Sequence, residues 1–487
     1  MKSIFNISAR DALQSLASGA LQVARRNMST NYKPGNWMFF GYGNMAKAVI
    51  DNKMLQELVE KGNQVDIIKT KPSTGQLEMS GLTYYYSESK NESERMPPLG
   101  KKYNKVISGA KPLISAKELG KFSNYVDNNT VLVSYEAGST TSSLMNRLRG
   151  GLCKVIRAMP NTNATIGRSL TAYCTTGNVD EGSLDEIVSI LQRAGDVFPI
   201  AEDRMNAFTA VAGSGPAYAH HILGSISRSL QAHQGYSPKD ADSLTLKVAQ
   251  DFDDSKYKKG VSEKVRNALN QMDSSDQDSS RGKGSTEGII NNAVKALGKD
   301  CAPDELDSMI AGVITRVSKS LIKGAQSCGF NEDVSEAMVA GPNGILKASA
   351  GYAAKSGKTF LELKNAVTSM DGTTQAALAI GEVGTGRTLD QLWDQAMKAA
   401  VIRGKQMGDP LGYSLAEASS ALDTAIAQKK DMSLYKKPMA VLYNGLRQVF
   451  DLISPAPTTS KAGDNFSAIG LDGKGPDNAK GGGRGQG

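Results

Sequence analysis

The chain has 487 residues, enough for several domains, and 40% of them are hydrophobic, which is enough to form buried cores. No apolar run approaches the roughly 20 residues that cross a bilayer, so we expect a soluble protein without membrane contact. The net charge is +8, but no basic helix interleaved with aromatic residues accompanies it. We therefore assign the charge to binding of an anionic cofactor and to lysine-rich insertions, and not to nucleic acid.

The segment 1–35 is rich in Ser, Ala and Arg and carries a single acid, Asp11. Apolar residues recur in it at helical spacing, which is typical of an organelle transit peptide and equally of an amphipathic leader or a terminal packing helix. The cytoplasm is our expected location, with a mitochondrion or another organelle as the alternative.

Residues 36–207 alternate strand and helix patterns. The segment begins with a strand at 37–41, a helix at 46–60 and a strand at 65–68. Further strands are expected at 105–107, 130–134, 154–158 and 169–174, and a helix at 183–194. Because strands that alternate with helices favour a parallel, doubly wound sheet, we predict an α/β Rossmann-like domain here.

Residues 208–408 show helical periodicity and no strand pattern, so we predict an all-α second domain. Within it, 225–252 and 317–348 look alike: each has a helix, a Gly-Tyr or Gly-Phe turn, an acidic region and a second helix. A partial duplication is one explanation for this single pair of short matches. A helical extension is expected at 409–453, and 454–487 has the Gly, Pro and Ser content of a disordered tail.

The first motif with a chemical meaning is Gly41-Tyr42-Gly43-Asn44-Met45-Ala46, a G-x-G-x-x-A pattern between a strand and a helix. The first glycine permits a tight turn, the second lets a pyrophosphate approach the backbone N–H groups, and the alanine allows close packing. This context favours a dinucleotide site over an ordinary strand–turn–helix.

The end of the second strand reads Ile68-Lys69-Thr70-Lys71, where NAD-binding proteins usually place an acid for the ribose hydroxyls. Two lysines and a hydroxyl suit the additional phosphate of NADP. The alternative interpretation is a solvated lysine pair. Asp66 lies inside the strand and is expected to point elsewhere.

No metal-ligand spacing and no Ser-His-Asp arrangement is present. Four cysteines, at 153, 174, 301 and 328, are far apart, and no metal or disulfide is predicted. His220 and His221 fall inside a predicted helix, so we expect at most one of them to face a pocket. Three small-residue loops remain, at 158–163, 212–218 and 368–374; their backbone donors could hold a carboxylate or a nicotinamide amide.

Taken in order, these loops resemble the motifs of pyrroline-5-carboxylate reductases. That family carries G-x-G-N-M-[AG], V-K-P, A-A-G-x-T, M-P-N-T-P, S-G-S-G-P-A-Y and S-P-G-G-T-T. This chain has GYGNMA at 41–46, Ala110-Lys111-Pro112, EAGST at 136–140, MPNT at 159–162, GSGPAY at 213–218 and DGTT at 371–374. The likeness covers residues 37 to about 230 and about 337 to 408.

The resemblance implies NADPH-dependent reduction of the imine L-1-pyrroline-5-carboxylate to L-proline, with NADH as a substitute. It also implies a Rossmann domain, a helical dimerisation domain, and assembly into a homodimer or a higher homo-oligomer. By the resemblance, Thr374 contacts the imine nitrogen, and Ser369, Gly372 and Thr373 hold the substrate carboxylate. The cofactor would lie against the following residues: Gly41, Tyr42, Gly43, Asn44, Met45, Lys69, Thr70, Lys71, Ala110, Lys111, Pro112 and Asn161.

The chain departs from the family at several places. Met370 and Asp371 replace the proline and first glycine of S-P-G-G, Asn163 replaces the last proline of M-P-N-T-P, and Glu136 replaces a small residue. An insertion of about a hundred residues occupies about 230–336. The alternatives are therefore a repurposed cofactor-binding scaffold that has lost catalysis, or a reductase of another small imine or of a 3-hydroxy acid.

Overall fold

The computed structural model describes residues 33–72, 76–148, 153–252, 261–272, 284–382 and 387–408. The predicted leader, apart from its last three residues, and the predicted helical extension and tail lie outside these residues. In the described part of the chain, no helix is both long and apolar enough to cross a membrane.

An eight-stranded sheet forms the first half, in the order β3-β2-β1-β4-β5-β6-β7-β8. The strands are β1 Asn36–Phe40, β2 Gln64–Lys69, β3 Leu82–Tyr86, β4 Lys105–Ser108, β5 Val131–Ser134, β6 Lys154–Met159, β7 Ser169–Thr175 and β8 Gly195–Pro199. Strands β1 to β6 are parallel, and their apolar residues are buried on both faces, as parallel sheets require.

One strand departs from the expected parallel sheet: β7 runs antiparallel to β6. Only a short 3₁₀ turn, Thr162–Ile166, joins the two strands. A parallel pair needs a crossover of a dozen or more residues, so this short connection forces the chain to reverse. The prediction of a wholly parallel sheet was wrong at this point.

Helices cover both faces of the sheet. They are α1 Asn44–Val49, α2 Asn52–Glu60, α3 Pro112–Glu118, α4 Thr141–Arg147 and α5 Glu181–Arg193. The helix predicted at 46–60 is two helices, because Asp51 ends the first and caps the second by accepting a hydrogen bond from the Met54 N–H at 2.8 Å.

Two edge strands, β3 and β8, were absent from the sequence-based prediction. β3 carries three tyrosines and little alternation, and β8 contains Gly195, Asp196 and Pro199 within five residues. Their pairing partners, and not their own propensities, hold them extended.

Beyond Pro199, the regular elements among the described residues are all helical. They are α6 Met205–Phe208, a π-helical turn Thr209–Gly213, α7 Gly215–Gln234, α8 Pro238–Gln250, α9 Glu263–Asn270, α10 Thr286–Ala296, α11 Pro303–Ser327, α12 Glu332–Ala340, α13 Ile345–Ser356, α14 Phe360–Val367, α15 Thr373–Glu382 and α16 Leu389–Gly408. The predicted fold class, a Rossmann-like α/β domain followed by an all-α domain, is confirmed.

Helix α7 lies at the centre of this half, and its side chains are buried along most of its length. Tyr218 stacks at a tilt against Trp393 of α16, with ring centroids 5.1 Å apart. The boundaries 36–207 and 208–408 stay predictions.

Candidate active site

The glycine turn after β1 is built from close backbone contacts. Gly41 has φ +77°, and a Cβ placed on it would lie 2.6 Å from the backbone nitrogen of Ala110, after β4. Only glycine fits there, because both the positive φ and the contact exclude a side chain. Ala110 is thus set beside the turn, and its contact with the cofactor stays a prediction.

Gly43 is different, because a Cβ on it would meet no protein atom within 4 Å. It faces open space at the start of α1, where Asn44 is exposed and Met45 half-buried. Tyr42, in contrast, is buried and donates a hydrogen bond to the Ile50 carbonyl at 2.6 Å, so its side chain serves the core. Room for a ligand therefore exists above Gly43 and Asn44.

The end of β2 presents the predicted lysines to solvent on one side of this turn. Burial, and secondarily the charge of Lys47, lower the pKa of Lys69. Lys71 is largely exposed and forms an ion pair with Glu88 at 3.1 Å. Asp66 is buried and accepts hydrogen bonds from Lys101, at 2.5 Å, and from Tyr103, so it points away from this surface as expected.

Lys111 and Pro112 begin α3 at the same edge of the sheet, with Lys111 exposed at the N-cap and Pro112 at the first helical position. The next two side chains, Leu113 and Ile114, are 80% and 51% exposed. An exposed apolar pair beside a glycine turn provides a surface for a flat, weakly polar group.

Asn161 follows β6 and is fully buried. Its side-chain nitrogen donates to the Ala212 carbonyl at 3.0 Å, and its side-chain oxygen accepts from the Asn163 N–H at 3.1 Å. Both ends of the amide are thus engaged in holding the π-helical turn against the sheet. Asn161 is therefore a positioning residue at the carboxyl edge of the sheet.

The loop of the helical half meets this edge through Ser214. The hydroxyl of Thr374 donates to the Ser214 hydroxyl at 3.1 Å, and the Thr373 hydroxyl lies 3.2 Å from the same oxygen. Ser214 comes two residues after Ala212, which is bound to Asn161. The two threonines are therefore joined to the end of β6 by a short chain of hydrogen bonds, although they are about 200 residues away in sequence.

The preceding residues form a tight turn, in which the Gly372 N–H donates to the Ser369 carbonyl at 3.1 Å. A Cβ on Gly372 would lie 2.3 Å from the Ser369 hydroxyl oxygen, so this glycine lets the hydroxyl face the turn. Met370 is 84% exposed.

Asp371 adopts φ +55°, a left-handed conformation in which aspartate is tolerated and glycine is preferred. Its carbonyl accepts a hydrogen bond from Arg403 at 2.6 Å, and its side chain is exposed. The aspartate thus keeps the backbone shape of the glycine it replaces.

Glu136, which the sequence marked only as a departure, is the centre of a buried network after β5. It pairs with Arg147 at 2.7 Å and accepts hydrogen bonds from Ser108, at 2.8 Å, and Ser139, at 3.0 Å. Arg147 also donates to Ser115 of α3. The ends of β4 and β5 are thereby fixed to α3 and α4 beside the glycine turn. The signal available in the sequence was an acid near serines at the ends of two strands.

His220 and His221 were expected to place at most one ring at a pocket, and this prediction was wrong. Both line one cavity of about 420 Å³ together with Arg228, Lys364 and Glu382. Burial lowers the pKa of His220 to about 3, and that of His221 to about 4 against the opposing charge of Glu382. Neither ring nitrogen of His220 has a hydrogen-bond partner among the described residues.

Known proteins resemble this chain in two ways. The family model described as pyrroline-5-carboxylate reductase dimerisation matches residues 306–407. The pyrroline-5-carboxylate reductase of Staphylococcus haemolyticus is 29% identical over 194 residues, which are 38% of this chain and 66% of that protein. The same enzyme of Staphylococcus epidermidis is 28% identical over 191 residues, with the same coverage.

A Rossmann-like sheet followed by a helical domain with a dimerisation motif defines the class of the protein. Within that class, the chain is similar to pyrroline-5-carboxylate reductases, and the resemblance indicated by its motifs is confirmed. The chain spans just under two thirds of the length of these relatives. The family match begins at residue 306, inside the segment that we predicted to be an insertion.

Solved structures with similar folds include the Plasmodium falciparum pyrroline carboxylate reductase with NADP bound, at 16% identity and a TM-score of 0.38. The pyrroline-5-carboxylate reductase of Coxiella burnetii has 18% identity and the same TM-score. In both comparisons, 77% of this chain and 100% of the other are covered.

Proposed function

We propose that this protein reduces L-1-pyrroline-5-carboxylate to L-proline with a reduced nicotinamide cofactor, NADPH in preference to NADH. One observation carries the proposal: Thr373 and Thr374 are hydrogen-bonded to Ser214, next to the turn that Asn161 ties to the sheet. A hydroxyl-bearing loop therefore reaches the carboxyl edge of the sheet, where Rossmann proteins bind their ligands.

The residues around the glycine turn fit a dinucleotide. Gly41 permits the turn and the unobstructed backbone at Gly43 leaves room for a diphosphate. Lys69 would meet the 2′-phosphate that distinguishes NADPH, because its ammonium lies near the end of β2 with Lys47 close by. When bound, the reduced nicotinamide supplies a hydride for the imine carbon.

The loop residues would hold and polarise the substrate. The N–H groups at the start of α15 and the Ser369 hydroxyl would donate hydrogen bonds to the substrate carboxylate, because the first N–H groups of a helix lack intrahelical partners. The Thr374 hydroxyl would contact the ring nitrogen. That nitrogen is protonated in the reactive form, which makes the adjacent carbon electrophilic, and after hydride addition it is the amine of proline.

The match to a dimerisation domain supports a homo-oligomer, in which helical units of this kind pair with one another. The small side chains of the loops around Ser214 and Gly372 would leave room for the substrate, a small anionic imine.

The test is spectrophotometric. Purified full-length protein is mixed with NADPH and pyrroline-5-carboxylate, the loss of absorbance of the reduced nicotinamide is followed, and proline is quantified. We expect one proline for each NADPH consumed, with a lower KM for NADPH than for NADH. NADPH consumption without proline would contradict the substrate assignment.

A cofactor-binding scaffold is the second candidate, and the exposed carboxylate of Asp371 in the substrate loop favours it. The same experiment separates the two, because a scaffold would bind NADPH and produce no proline.

A further inference from the structure

The helical half contains two stretches that correspond in sequence. Residues 265–273 read VRNALNQMD and residues 363–371 read LKNAVTSMD, with the same Asn, Ala, Met and Asp. After the first stretch, and a polar insertion, GSTEGII at 284–290 corresponds to GTTQAAL at 372–378. Earlier in the chain, ISRSL at 226–230 corresponds to VSKSL at 317–321.

The corresponding stretches also have the same local structure. Helices α7 and α11 both end before a glycine with positive φ, Gly235 at +75° and Gly329 at +95°. The following helices, α8 and α12, both begin at a capping side chain: Ser237 accepts from the N–H three residues later, and so does Asn331. Helices α9 and α14, which carry the VRNAL and LKNAV stretches, are both eight residues long.

The two sets of helices pack reciprocally. Helix α7 of the first set contacts α14 of the second, and α11 of the second contacts α9 of the first. The helices approach closely at a glycine in both contacts. A Cβ on Gly224 would lie 3.1 Å from the Phe360 Cβ, and a Cβ on Gly312 would lie 2.3 Å from the Leu269 side chain. Helices α10 and α15 also touch one another. Reciprocal contacts of this kind are the mark of a two-fold interface.

Two cavities lie at corresponding places in the two sets of helices. The cavity of about 420 Å³ lies between α7 and α14 and is lined by Arg228 and Lys364. A second, of about 580 Å³, lies between α11 and α9 and is lined by Lys319 and Arg266. In the sequence correspondence, Arg228 pairs with Lys319 and Lys364 with Arg266, so each cavity has a cation at equivalent positions.

We infer that residues 215–296 and 306–408 are two tandem copies of one helical unit, and that they pair with each other within a single chain. The partner of the family-matched dimerisation unit is therefore the chain's own first copy, and not a second subunit, so the homo-oligomer proposed above would need another surface. This inference rests on sequence and packing, and it holds whether or not the chain is a reductase.

The pairing has a consequence for the site. Ser214 introduces the first copy, whereas Thr373 and Thr374 belong to the second, so their hydrogen bonds cross the internal interface. The equivalent residues of the first copy are Ser285 and Thr286, of which Ser285 lines the smaller cavity together with the histidines. The described residues hold a single sheet, so one chain would carry one complete site.

A cysteine pair tests the interface directly. Full-length Gly224→Cys/Phe360→Cys protein is oxidised mildly, and its mass is determined under denaturing, non-reducing conditions, with each single variant as a control. We expect a cross-link within one chain, detected as a faster-migrating species of single-chain mass. A cross-linked species of two-chain mass, or no cross-link at all, would overturn the inference, since the two Cβ positions, 3.1 Å apart, reach the roughly 3.5–4.5 Å of a disulfide with a small shift.

A mixture of the two single variants tests whether the interface forms between chains. If the interface were between chains, oxidation of the co-refolded mixture would join Gly224→Cys to Phe360→Cys chains. We expect no such heterodimer.

If the protein proves active, a third measurement is available. A Gly43→Ala chain and a Thr374→Ala chain, each impaired, are refolded together. A site built within one chain leaves the mixture as slow as the average of its components, whereas recovery to about a quarter of wild-type activity would show that the loop comes from another subunit.

Discussion

At the scale of single residues, the site is held by side chains that do not face it. Both ends of the Asn161 side-chain amide are hydrogen-bonded, to Ala212 and to Asn163. Glu136 is enclosed by Arg147 and two serines. Removing such a buried partner leaves the other unsatisfied, which costs several kcal/mol. Of the residues proposed to touch ligands, Thr374 is buried and donates to Ser214, and the Lys69 ammonium lies over the Tyr84 ring.

Thr374→Ala should lower kcat by about 10- to 100-fold, because a hydroxyl aimed at the ring nitrogen is lost, while the Kd for NADPH changes by less than about twofold. Steady-state kinetics and cofactor titration measure both quantities. Thr286→Ala, at the corresponding position of α10, is the matched control and should leave kcat unchanged. An unaltered kcat in Thr374→Ala would remove this residue from the mechanism.

Lys69→Ala should raise the Kd for NADPH about tenfold and leave the Kd for NADH almost unchanged, since only NADPH carries the 2′-phosphate. Fluorescence titration with both cofactors measures the difference. Lys71→Ala is the control: its ammonium is already paired with Glu88, so we expect a smaller effect. Equal weakening of both cofactors would argue against a phosphate contact.

At the scale of elements, the strand–turn–helix unit at 36–49 has two glycines with separate roles. The backbone of the turn requires Gly41, whereas Gly43 only leaves space. The short helix α1 packs its Ala46 and Val49 into the core, and this packing keeps the turn in place when no ligand is bound.

Gly43→Ala should therefore leave the Tm of the ligand-free protein within about 2 °C of wild type and weaken NADPH binding by about tenfold or more. Gly41→Ala should lower the Tm itself, because of the positive φ and the contact with Ala110. Differential scanning calorimetry with and without NADPH separates the two. A large loss of Tm in Gly43→Ala would show that this position is structural.

At the scale of the whole molecule, two neutral histidines lie within the helical half. Their folded-state pKa values, about 3 for His220 and about 4 for His221, are below the value of 6.5 in an unfolded chain. The unfolded state therefore takes up protons below pH 6.5 that the folded state does not. The contribution of the two histidines to the free energy of unfolding is fully present above pH 6.5. It is lost as the pH falls towards their folded-state pKa values.

We expect the free energy of unfolding to fall by up to about 2 kcal/mol for each histidine between pH 6.5 and 5, a window above the usual carboxylate range. Urea denaturation at both pH values measures the change. His220→Gln should reduce the pH dependence by about half, whereas His233→Gln, at a half-buried site bonded to Asn291, should not change it. A pH-independent stability would contradict the burial of both rings.

The sequence by itself determined the class of fold, the glycine turn and the helical second half, because each follows from local spacing: apolar runs, a G-x-G-x-x-A turn and a 3.6-residue period. The sequence also contains the corresponding stretches from which the duplication is inferred. Only the tertiary structure decided that β7 runs antiparallel, that Thr374 meets Ser214, that both histidines border one cavity, and that the two helical copies pack on each other. These features join residues far apart in the chain, and local spacing carries no information about which distant surfaces bury one another.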